Sequence, residues 1–224
     1  MDCRKAGRSL FDARCFGTVA ILFLVIPSGV EESLIINSRD VSTNARHDNE
    51  DSRLYRHFMR TAVALGSNLG DRLDNLRAAR KAIVDLAGVT APVLASPIYE
   101  TEPVDCEPGA AKFVNAVLEF DYKGKPAELL EQLIRIEESL GRGRDHARNV
   151  SRKIDIDLLY LGEMKIDNDR LQLPHPRLDS RKFVLQPLAD VRPDLVLPNQ
   201  TKTVRELLAQ LDESAKVIRL TDDW

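Results

Sequence analysis

The chain has 224 residues, 43% hydrophobic and 30% charged, with a formal net charge of −3. This is the composition of a globular protein with one substantial core. Without a broad excess of Lys and Arg it excludes a general nucleic-acid coat, so any anion site must be local.

The first residues differ in character from the rest. Arg4, Lys5, Arg8 and Arg14 precede an apolar run over 18–27, the charge and length profile of a signal peptide and too short to span a bilayer. No small-residue cleavage pattern follows it cleanly, and residues 41–57 are polar and lack apolar period. The expected organisation is a disordered or non-native extension over 1–58 and a folded domain over 59–224, with Met59 as the functional start. Cys3, Cys15 and Cys106 have no CxxC spacing and read as free thiols in a reducing compartment, hence a cytoplasmic protein. His47, His57, His146 and His175 lack the paired spacing of a zinc helix.

From Thr61 the pattern becomes regular. Residues 61–66 form a short apolar run with the length of a buried strand, followed by a turn through Ser67, Asn68, Leu69 and Gly70. Either Asn68 or Asp71 can cap the helix that follows, in which Leu73, Leu76, Ala79, Ile83 and Leu86 recur every three or four residues up to Gly88. Strands are predicted over 93–102 and 112–122, joined by a long Pro- and Gly-containing loop. Pro126 opens a second amphipathic helix, whose stripe of Leu129, Leu130, Leu133, Ile136 and Leu140 stops at Gly141. A fourth strand over 153–161 completes the order βαββαβ, which suggests a ferredoxin-like α+β sandwich with an antiparallel sheet and C-terminal additions. Those additions comprise a proline-punctuated stretch over 173–198 and a short helix over 204–211, with Thr203 and Glu206 as its capping box.

The fourth strand carries the chemistry. Strand alternation puts Asp155 and Asp157 on one face and Ile154, Ile156 and Leu158 on the other. Two like charges roughly 7 Å apart repel, and Asp is a poor strand former, so a cation between them explains the pair better than a solvated face does. Magnesium suits, since it accepts one or two carboxylates and fills its shell with water and phosphate oxygens. Arg142, Arg144, Arg148 and Arg152 cluster just before the pair, although the chain is acidic overall. The planar guanidinium matches phosphate oxygens with two hydrogen bonds, so the combination points to magnesium-bound ATP. Gly141 and Gly143 make the start of that segment flexible, as a lid requires. No GxxxxGK[ST] motif is present, which excludes a P-loop enzyme.

Six segments in order, Ala64-Leu-Gly-Ser-Asn-Leu-Gly-Asp71, Tyr99-Glu-Thr-Glu-Pro103, Phe113-Val-Asn-Ala116, Gly141-Arg-Gly-Arg144, Arg152-Lys-Ile-Asp-Ile-Asp157 and Leu173-Pro-His-Pro176, closely resemble the 6-hydroxymethyl-7,8-dihydropterin pyrophosphokinases of folate biosynthesis. The resemblance covers the chain from about Thr61 onward. It implies a monomeric enzyme that moves the pyrophosphoryl group of ATP to the hydroxymethyl oxygen of 6-hydroxymethyl-7,8-dihydropterin and releases AMP. Asp155 and Asp157 would hold two magnesium ions. Arg142, Arg152 and Asp157 would be catalytic, with the hydroxyl proton leaving either to Asp157 or through metal-assisted ionisation. Thr101, Val104, Phe113, Asn115 and Phe183 would receive the pterin. Glu137, Arg144, Arg148, Arg152, Arg170, His175 and Arg181 would receive ATP. Nucleic acid and membrane are not expected as partners. This chain departs from the family in having Asn149-Val-Ser151 where many members carry Trp-Gly-Pro, and Phe113 where some carry tyrosine. Two other readings remain open: an RNA-binding or regulatory ligand-binding module on the same fold, and an ordinary kinase that transfers only the γ-phosphate.

Overall fold

The computed structural model describes residues 57–103, 109–141, 151–212 and 216–224, together with strand segments at 15–16, 19–25 and 31–37. The chain divides into two compact units, Met1–Leu54 and Tyr55–Trp224. In the first, β1 (Cys15–Phe16), β2 (Val19–Val25) and β3 (Glu31–Asn37) form an antiparallel sheet, and the apolar run read as a signal-peptide core supplies β2.

The second unit is built on a six-stranded antiparallel sheet. Its central strand β4 (Met59–Ser67) pairs along nine residues with β7 (Phe113–Tyr122) and on its other side with β8 (Asp155–Leu161). The single strand expected over 93–102 is two strands, β5 (Val89–Ala95) and β6 (Ile98–Thr101), which pair with successive parts of β7. The break falls at Ser96-Pro97, where Pro97 has no N–H for a ladder. Ser96 stitches the break by donating its N–H to Val117 O and accepting the Val117 N–H on Oγ, both at 2.9 Å. Two short strands, β9 (Ile166–Asp167) and β10 (Gln172–Leu173), form a separate ribbon after β8. An edge strand unforeseen from the sequence, β11 (Val217–Thr221), pairs with β6.

The helices follow the apolar stripes. α1 (Arg72–Val84) buries Leu76, Ala79 and Ile83, and is capped by Asp71, which accepts the Asp74 N–H at 3.0 Å. α2 (Pro126–Ser139) has Pro126 in its first turn and buries Leu129, Leu133 and Ile136; Gly141 leaves it at φ +102°, a conformation that favours glycine. Both helices cover the sheet face made by Val63, Leu65, Val114, Ala116, Leu118, Phe120, Ile156 and Leu158.

The other face is covered only in part, by α3 (Lys182–Val191) and α4 (Val204–Leu208) over Ala62, Val117, Leu159 and Tyr160. The Thr203–Glu206 capping box is present. α3 lies inside the proline-punctuated stretch over 173–198, where no helix is expected from the sequence; Pro187 sits in its interior, where it removes one ladder bond, yet Val184, Leu185 and Leu188 are buried beneath it. Along β8, Leu158 opposes Val63 and Tyr160 opposes Ala62, leaving Leu159 as an extra residue. That bulge turns both Leu159 and Tyr160 into the second cluster, while Asp155 and Asp157 face outward beyond its end.

Candidate active site

The site grows out of three rows across the open face. In the first, Asp155 on β8, Gly66 on β4, Asn115 on β7 and Tyr99 on β6 are consecutive register partners. The second runs through Asp157, Ala64 and Val117, and the third through Tyr160, Ala62 and Glu119. The middle strand therefore presents Gly66, Ala64 and Ala62 to this face. With so little side chain in the middle, the groups on the flanking strands project over a trough and can reach one another across it. A Cβ on Gly66 would lie 3.2 Å from Asn115 Oδ1, so a methyl group here would press on that amide and shift it by a few tenths of an ångström.

The trough is a cleft of about 290 Å³ lined by Ala64, Gly66, Thr101, Phe113, Asn115, Arg152, Asp155, Asp157, Arg181 and Phe183, among others. Four of the five residues expected to receive the pterin thus come together. Val104, the fifth, lies outside the described residues, as do Arg142, Arg144, Arg148 and Asn149. Asn115 is buried and donates Nδ2–H to Thr101 Oγ1 at 2.7 Å, which fixes its amide and directs its remaining polar capacity into the cleft. Arg181, expected on the nucleotide side, lines this same cleft; its guanidinium stands 5.4 Å from the Phe183 ring centre and 3.3 Å from Asp157 Oδ2.

A second cleft opens beyond β8, lined by Leu130, Asp157, Arg170, Leu171, His175 and Pro176 among others. Asp157 belongs to both clefts. Arg170 and His175, both expected to receive ATP, line this second cleft. Glu137 is buried beneath, accepting the Ile156 N–H at 2.7 Å, so it holds the backbone between the two aspartates.

Charge is concentrated around the acid pair. Arg152 donates to Asp155 Oδ1 at 2.8 Å. The Asp157 carboxyl is raised above the usual carboxylate range, first by burial and then by the neighbouring Asp155 charge, against the opposing pull of His175, Arg181 and Arg177. Burial lowers His175, whose Nδ1 accepts the Arg177 N–H at 3.1 Å while Nε2 faces Asp157 at 4.0 Å. Among the described residues no group of three or more His, Cys, Asp or Glu side chains is arranged to hold a metal ion. Two cleft-facing carboxylates still suit an ion that keeps water and phosphate oxygens in its shell.

Sequence reasoning missed two contributors. Arg177 lines the first cleft directly after the Leu173-Pro-His-Pro176 segment, a basic residue adjoining a motif already singled out. Asn68 does not cap α1 but is a buried junction: its N–H donates to Arg152 O (3.1 Å), its Oδ1 accepts the Arg152 N–H (2.7 Å), and its Nδ2 donates to Ser151 Oγ (3.1 Å) and Ala111 O (3.3 Å). It ties the approach to β7 to the approach to β8.

The chain matches, over residues 62–193, the family model of 7,8-dihydro-6-hydroxymethylpterin-pyrophosphokinase. It belongs to that family. It is 39% identical over 158 residues to a Haemophilus influenzae 2-amino-4-hydroxy-6-hydroxymethyldihydropteridine pyrophosphokinase, covering 70% of this chain and 96% of the relative. The Pseudomonas aeruginosa protein of the same name is 41% identical over 152 residues, covering 68% and 91%. Among solved structures, an HPPK-DHPS protein of Plasmodium falciparum superposes with a TM-score of 0.53 at 14% identity, over 69% of this chain and 43% of that one; at such identity the likeness speaks for the α+β fold alone. The chain is therefore an enzyme, a pyrophosphokinase of folate biosynthesis, and the non-catalytic RNA-binding or regulatory alternative falls away. None of the described helices is long and apolar enough to cross a membrane.

Proposed function

We propose that the enzyme transfers the pyrophosphoryl group of magnesium-bound ATP to the hydroxymethyl oxygen of 6-hydroxymethyl-7,8-dihydropterin, with AMP as the other product. The observation that carries this reading is that two clefts of different character meet at Asp157. One has the aromatic rings of Phe113 and Phe183 and the fixed amide of Asn115, which suit the faces and the edge of a flat hydrogen-bonding heterocycle. The other has Arg170 and His175, suited to a nucleotide.

In this reading the substrate oxygen bonds to the β-phosphorus as the bond from that phosphorus to the α-phosphate bridge oxygen breaks, and the hydroxyl proton passes to Asp157 or, by metal-assisted ionisation, to solvent. Thr101, Val104, Phe113, Asn115 and Phe183 hold the acceptor. Arg152, Arg181, Arg142, Arg144 and Arg148 bind the phosphates, with Glu137, Arg170 and His175 on the nucleotide side. Asp155 and Asp157 hold the magnesium ions, which when bound neutralise charge on the phosphate oxygens. The residues thus act mainly by orientation and by fixed electrostatics. The sheet order β8-β4-β7-β6, with α1 and α2 on one face, supports a ferredoxin-like reading of the catalytic portion, residues 59–224. We also read the enzyme as a cytoplasmic monomer.

The test is product analysis of the full chain with ATP, the pterin and magnesium. AMP and a pyrophosphorylated pterin should form in equal amounts, and EDTA should stop turnover until magnesium is restored in excess. ADP as the nucleotide product would identify an ordinary kinase and refute the proposal.

A further inference from the structure

α3 carries site residues at one end and polar locks at the other. Arg181, its N-cap, and Phe183 in its first turn line the first cleft. Nine and eleven residues after Arg181, roughly 14–16 Å along the axis, the helix is fastened to the sheet twice. Tyr99 on β6 donates to Asp190 Oδ2 at 2.6 Å. Arg192, the C-cap, brings Nε to 2.9 Å from Glu119 Oε1 on β7; the N–H axis is off line, so the contact is an ion pair and not a directed hydrogen bond. Glu119 is fully buried, and its Oε1 also accepts from Tyr160 on β8 at 2.6 Å.

Between its site end and the locks α3 rests on Val184, Leu185 and Leu188, an apolar contact that is strong but non-directional. Pro187 removes the ladder bond that would reach the Phe183 carbonyl, so the first turn relies more on how the rest of the helix is held. Tyr99 is also the register partner of Asn115, and its strand continues to Thr101, which holds the Asn115 amide. One phenol thus joins the strand wall of the cleft to its helix wall. Burial and then the Asp190 bond push that phenol up to about 12, so it remains a donor at neutral pH.

We propose that the Tyr99–Asp190 hydrogen bond, backed by the Arg192–Glu119–Tyr160 cluster, is the positioning contact that sets the width of the acceptor cleft. It fixes the distance of Phe183 and Arg181 from Asn115 and Thr101, and so the thickness of ring the enzyme accepts. The inference rests on the acceptor assignment above. Misplacement on the order of 1 Å suffices to disturb such a site strongly.

The experiment compares full-chain Tyr99→Phe, Asp190→Ala and the double variant with the unaltered enzyme. Each single variant should raise the KM for the pterin about tenfold with a smaller rise in the KM for ATP, whose phosphates Arg181 binds, and the double variant should be no worse than either single one, as expected for two groups sharing one bond. Amide exchange over Phe183–Gln186 should quicken in the absence of substrates, while exchange in α2 stays as it was. An unchanged pterin KM, additive single effects or unchanged exchange in α3 would overturn the inference. Unaltered enzyme that fails to turn over the pterin would refute the acceptor assignment instead, and the exchange comparison would still decide whether the bond holds the helix.

Discussion

The two faces of the central sheet are built by opposite rules. Beneath α1 and α2, β7 presents Val114, Ala116, Leu118, Phe120 and Tyr122, and every one is at most 1% exposed. On the other face the same strand presents Phe113, Asn115, Val117, Glu119 and Asp121, of which only Val117 is a fully buried apolar side chain. One face excludes water and stabilises the fold; the other retains polar groups and small residues where a ligand needs space. Within one strand, alternation separates stability from chemistry by a single residue step.

Substitutions can break that comparison. Phe120→Ala on the covered face should lower unfolding free energy by about 3–5 kcal/mol, read from urea midpoints, with the KM values of the folded fraction unchanged. Asp157→Ala on the open face should do the reverse. Turnover should fall at least about a hundredfold, whereas thermal stability should hold or rise, because a half-buried carboxyl beside the Asp155 charge is removed. If Asp157→Ala unfolds the protein, the open face is structural after all.

Gly66→Ala sharpens the contrast, since it puts a methyl group against Asn115 Oδ1 without altering the covered face. The expected cost is about 1–3 kcal/mol, appearing as a raised KM for the pterin and not for ATP. Thr203→Ala, at the α4 capping box and away from both clefts, should cost about 1 kcal/mol of stability and leave both KM values alone.

Much of this was legible in the chain because the signals are local. The 3.6-residue stripes of α1 and α2, the first-turn Pro126, the stop at Gly141 and the Thr203–Glu206 box each depend on neighbours within a turn or two. The alternation that sets Asp155 and Asp157 together is equally local. One readable signal was overlooked: in Thr61-Ala-Val-Ala-Leu-Gly66 the residues of one face are Ala, Ala and Gly, which already describes a trough.

Other features had no local trace. Pro187 argues against a helix, yet α3 forms because burial of Val184, Leu185 and Leu188 outweighs one missing backbone bond. Asn68 looks like a cap and becomes a junction only when residues 111 and 151–152 arrive beside it.

By itself the sequence determined an α+β chain with two amphipathic helices among its strands, the acid pair on one strand face, and through six ordered motifs the family, because strand and helix periodicity and short motifs are written in consecutive residues. Tertiary structure alone decided that Asp157 stands between two clefts, that Gly66 and Ala64 floor the first of them, and that Tyr99 reaches Asp190 across 91 positions. Those contacts depend on register and on packing between distant segments, which no window of sequence contains.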